Sequence, residues 1–75
     1  MDRAMLCDHL EQARRHVAEG ERHIARQKDV VAGLERHGRP SGEARRLLGN
    51  FEELQQMHLA DLHRILGELG KLDAG

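Results

Sequence analysis

Seventy-five residues carry 12 Lys and Arg against 13 Asp and Glu, six histidines, one cysteine and one aromatic residue, Phe51. That length holds a single small domain. Near-neutral charge excludes the uncompensated basic surface that direct nucleic-acid binding needs, and a lone ring cannot form a stacking platform for bases.

Cys7 has no second cysteine with which to form an internal disulfide, which fits a reduced, cytoplasmic setting. The N-terminal Met1-Asp2-Arg3 leads into mixed polar sequence without the apolar core of a signal peptide. The longest run of apolar residues and glycine, 30–34, is far too short to span a bilayer. The expectation is a cytoplasmic protein without membrane contact.

The first predicted element is a helix over about 2–37, rich in Leu, Ala, Glu, Arg and Gln and free of proline. At ~1.5 Å per residue it is about 50 Å long. The segment "HGRPSGEA", residues 37–44, holds the only proline, the only serine and two glycines, and is read as a turn over about 38–41. Ser41 is a fair N-cap for a second helix over about 42–70, with Glu43 in its first turn to meet the helix dipole.

Apolar positions in both stretches alternate spacings of four and three. The first seam runs Leu6, Leu10, Ala13, Val17, Gly20, Ile24, Gln27, Val31, Leu34; the second runs Ala44, Leu48, Phe51, Gln55, His58, Leu62, Ile65, Leu69, Leu72. This is the period of paired helices, and the fold class expected is all-α: an antiparallel two-helix coiled-coil hairpin. One register sets Leu34 against Leu48, Val31 against Phe51, Gln27 against Gln55 and Val17 against Ile65, so that Gln27 and Gln55 form a polar core layer. Registers shifted by about one turn are also compatible with the pattern.

The second helix carries apolar residues beside its seam: Leu47 and Leu54 on one flank, Leu59 and Leu66 on the other. One partner helix cannot cover so wide a face. Two hairpins docked as a four-helix bundle would cover it. The expected homo-oligomer interface comprises Leu47, Phe51, Leu54, His58, Leu59, Leu62, Ile65, Leu66 and Leu69.

Histidines recur every seventh residue at positions 9, 16, 23 and 37, with Val30 in the skipped slot. They fall beside the seam, opposite Leu47, Leu54, Asp61 and Glu68 of the second helix. In the first register His23 meets Asp61 and His16 meets Glu68; in the shifted one His16 meets Asp61 and His9 meets Glu68. Val30 then faces Leu54 or Leu47, so the skip coincides with a change from acidic to apolar residues opposite. On the other flank Lys28 lies across from Glu52 and Glu35 from Arg45. Histidines seven apart lie about 10 Å apart along the axis, too far to share an ion. Glu19 with His23, or His58 with Asp61, could offer two metal ligands, with more from a second chain, although for His58 a hydrogen-bonded core histidine is the commoner role at a seam position. One serine, no threonine and no tyrosine leave no nucleophile with an oriented base, so no catalytic residue and no cofactor are expected.

The segments "LEQARRHVAEGERHIARQKDVVAGLERHG" and "EARRLLGNFEELQQMHLADLHRIL" resemble short proteins of unknown function from alphaproteobacteria such as rhizobia. The resemblance covers nearly the whole chain and implies a bacterial helical hairpin. It implies no activity and no site residues. The function expected is a small self-associating interaction or regulatory module that is not an enzyme. The alternatives are a metal- or ligand-binding bundle built on histidines and nearby carboxylates, and a dimerisation adaptor for another protein, such as one that binds nucleic acid.

Overall fold

The computed structural model describes residues 2–74. Two α-helices account for nearly all of them: α1 over Arg3–Arg36 and α2 over Gly42–Ala74. Asp2 caps α1, its Oδ1 accepting from the Met5 N–H at 2.8 Å and so satisfying one of the first-turn donors that lack an intrahelical partner.

The close of α1 is a Schellman turn. Gly38 sits at φ +65° and donates to the Glu35 carbonyl at 3.1 Å, while Arg39 donates to the Leu34 carbonyl at 2.9 Å. Only glycine takes that φ without a β-carbon penalty. His37 adds its ring to the cap, Nδ1 donating to the Gly33 carbonyl at 2.7 Å. Pro40 follows, where its missing N–H forfeits nothing.

Ser41 stands at the head of α2 and its carbonyl accepts from Arg45 N–H at 2.8 Å. Its hydroxyl does not cap the helix as expected; it points across the turn, 3.5 Å from Glu35 Oε2. The second helix also outruns its expected end near residue 70. Gly70 is an exposed surface position that leaves the hydrogen-bonded ladder intact, and Lys71 in the last turn opposes the negative end of the dipole.

The helices run in opposite directions as a hairpin, Arg3 pairing with Asp73 at one end and Glu35 with Arg45 at the other. The core is small. Leu6, Ala13, Ile65 and Leu69 form one buried cluster, with Leu10 and Leu62 packed against it, and Leu6 and Ile65 each keep only 2% of their exposure. Val31 is buried separately, nearer the turn.

The register is shifted by about two turns, more than the one turn expected, and the expected Gln27–Gln55 layer does not form. Gln55 lies against Gly20, close enough that a β-carbon there would collide with its Oε1. Its Nε2 donates to the Val17 carbonyl at 2.9 Å, while Gln27 Nε2 donates to the Ala44 carbonyl at 3.0 Å. Each glutamine therefore donates to the opposite backbone instead of bonding the other. Moving Gln55 from Gln27 to Gly20 slides the pairing by seven residues, about 10 Å along the axis. The physical reason is packing: in the observed register Leu6 joins Leu69 in the buried cluster, and Gln55 reaches into the space left at Gly20.

The result is a rod of 58 × 15 × 14 Å with a radius of gyration of 17.0 Å, against about 11 Å for a compact domain of this length. No helix among the described residues is long and apolar enough to cross a membrane.

Candidate functional site

Midway along the rod the seam opens into a cleft of about 220 Å³. Local sequence explains the opening. At Gly20 there is no side chain to fill the groove, and opposite it stands Gln55, whose long amide reaches over to the Val17 carbonyl. Gln55 is buried, and its Oε1 has no hydrogen-bond partner among the described residues. An unpartnered buried acceptor of this kind costs ~1–3 kcal/mol.

Three histidines and one acid surround that glycine. His16, Glu19 and His23 follow a single stripe of α1, and Phe51 and His58 face them from α2. The His16 and His58 rings come within 5.1 Å, centroid to centroid, at 45°. The His23 ring stacks on Phe51 at 5.6 Å and 26°. His58 meets the other imidazole across the seam, where a hydrogen-bonded core histidine was expected.

The seven-residue histidine beat thus serves several local purposes. His37 caps the helix, His23 covers Phe51 and His16 meets His58. His9 lines a second depression toward the open end, shared with Asp61 and Arg64. The expected histidine–carboxylate pairs are absent among the described residues, because the acids are taken from within their own helix. Arg64 Nη2 donates to Asp61 Oδ1 at 2.5 Å and Nη1 to Glu68 Oε1 at 3.4 Å. The hydrogen bond to Asp61, then its charge, and lastly Glu68 push the Arg64 guanidinium further toward its charged form. Of the other flanking pairs, Glu35–Arg45 is present, with Arg45 Nε 3.1 Å from Glu35 Oε2; Lys28–Glu52 is not among the ion pairs of the described residues.

Of the candidate metal pair His58 and Asp61, His58 lines the central cleft and Asp61 lines the neighbouring depression, where Arg64 bonds it; His16 lines both. Among the described residues no three or more His, Cys, Asp and Glu side chains are placed to hold one ion. Cys7 is exposed.

The expected interface residues divide. Ile65 and Leu69 are consumed inside the hairpin, because the observed register turns them onto Leu6 and Ala13. Phe51, His58, Leu59 and Leu62 are half-buried. Leu47, Leu54 and Leu66 are exposed at 41–48%. Val30 and Met57, which the seam pattern did not single out, are exposed too. Val30 was legible only as the skipped histidine; Met57 lies on the outer face, away from both flanks.

Comparison of the chain with protein families, with characterised proteins and with solved structures yields no match.

Proposed function

We propose that the chain is a self-associating helical module that works by holding surfaces together and carries no catalytic chemistry. Two hairpins pack through the flank bearing Val30, Leu47 and Leu54 to make a four-helix bundle. The observation that carries this reading is surface area. A compact monomer of 8.5 kDa exposes about 4,700 Å², whereas this hairpin exposes 5641 Å². The excess is close to the ~800 Å² that each partner contributes to a standard interface. It coincides with large apolar side chains left in water: Val30, Leu47 and Leu54 all remain more than 40% exposed. Five buried apolar residues among the described residues are a thin core, and domains of this size commonly gain stability by oligomerising.

Sedimentation equilibrium tests the proposal. Wild type is expected to sediment at twice the chain mass, and Leu47→Glu with Leu54→Glu as a folded helical monomer. A wild type that stays monomeric and fully helical at micromolar concentration would refute it.

A further inference from the structure

We infer that His16 and His58 form a clamp for a divalent transition-metal ion, joining α1 to α2 across the central cleft. The two imidazoles project from different helices, forty-two residues apart in sequence, into one opening. Their separation matches that of two imidazoles on one ion. A metal–nitrogen distance of ~2.0–2.1 Å and a tetrahedral angle place two bound imidazole centroids about 5 Å apart; the rings stand at 5.1 Å. Both rings are half-buried and neither is engaged by a carboxylate, so their nitrogens are not committed to an ion pair. Glu19, one turn from His16, adds negative charge at the rim of the same cleft. His23, the next histidine on that stripe, is stacked on Phe51 and about 10 Å further along the axis, outside reach of the same ion.

The donor set selects the ligand. Imidazole nitrogen suits Cu²⁺, Ni²⁺ and Zn²⁺, and offers little to Mg²⁺ or Ca²⁺, which take oxygen. No third protein donor converges on the pair among the described residues. The ion therefore keeps water in its remaining positions and exchanges with solvent, unlike a closed four-ligand structural zinc. Because the two histidines meet only in the observed register, an ion bound by both stabilises that register over the one seven residues away. The clamp lies within one chain and does not depend on self-association.

The experiment uses metal-stripped full-length protein, melted by circular dichroism with millimolar NiCl₂, ZnCl₂ or MgCl₂. Nickel and zinc are expected to raise Tm by several degrees, and magnesium to leave it unchanged. The rise should vanish in His16→Gln and in His58→Gln and survive in His63→Gln, an exposed position on α2. No rise in wild type, an equal rise with magnesium, or a rise that persists in the His16→Gln, His58→Gln double variant would overturn the inference. Should either variant be too unstable to melt, the Cu²⁺ complex of wild type decides by electron paramagnetic resonance. Two equivalent imidazole nitrogens support the clamp, and one or none overturns it. Sedimentation of the same samples separates this proposal from self-association. A metal effect on Tm in samples that remain monomeric supports the clamp even if the dimer fails. Metal-dependent doubling of mass with no effect on the monomer overturns it.

Discussion

The open end of the hairpin and its turn-proximal half use the same seam pattern in different ways. At the open end Leu6, Ala13, Ile65 and Leu69 interlock in a dry cluster, with Arg3 and Asp73 closing its tip. From Gly20 to the turn, polar groups join the contacts between the helices. Gln55 and Gln27 each bond a carbonyl of the opposite helix, His23 lies on Phe51, and Val30, Leu47 and Leu54 stay in water. Stability is concentrated where apolar side chains face one another. Specificity of register and exposed apolar surface are concentrated where they do not. A short covalent turn allows this division, since it already holds the second half together without a large core.

The largest test of that contrast removes one isoleucine from each half. Ile65→Ala should lower stability by about 2–5 kcal/mol, the range for deleting a buried aliphatic side chain. Ile24→Ala, at a half-buried position toward the turn, should cost about half as much. Urea melts give both values, and equal losses would mean that the halves are equally well packed.

Gly20→Ala sharpens the comparison at the boundary. On propensity alone alanine should favour the helix by ~1 kcal/mol. Here the new β-carbon meets Gln55 Oε1 and forces the amide off the Val17 carbonyl. Overpacking and the lost hydrogen bond together should outweigh propensity, for a net loss of about 1–2 kcal/mol. In the Gln55→Ala background the same change should be neutral or stabilising. If Gly20→Ala alone raises the melting temperature, the close approach does not set the register.

A charge introduced on the exposed flank comes next. Leu54→Glu alone should weaken association markedly and cost the isolated hairpin far less than Ile65→Ala does, because about half of the Leu54 side chain is already in water. Concentration-dependent melts separate the two effects: the wild-type midpoint should fall on dilution and that of the variant should not.

The smallest effect belongs to the ion pairs. Glu35–Arg45 joins exposed side chains, so Arg45→Ala should cost ~0–1 kcal/mol and the loss should shrink in high salt. A larger loss would locate substantial stability at the turn and not at the open end.

Much of this was readable before the structure. Two helices, a turn at the only proline, the seam residues and the exposure of Leu47, Leu54 and Leu66 follow from local chemistry. A proline-free stretch with apolar residues every three to four positions has one economical solution, a helix buried along a stripe. A cluster of glycine and proline cannot continue that helix. The Glu35–Arg45 pair was also legible, as opposite charges on facing flanks.

The register was not, and the site went with it. A seven-residue repeat matches itself when one helix slides by seven, so periodicity alone leaves neighbouring registers equivalent. Only three-dimensional packing distinguishes them. Gln55 needs the space that Gly20 leaves, Leu6 needs Leu69 at the far end, and both conditions are met at once in one register. That choice separates Gln27 from Gln55 and brings His16 to His58. Arg64 settles the rest: by bonding Asp61 and Glu68 within α2, it takes the acids that the histidine beat was expected to meet. Local pattern determined the elements and the stripe each one buries. Which residues meet across the stripe was decided by volumes and hydrogen bonds that exist only once the two helices are in contact.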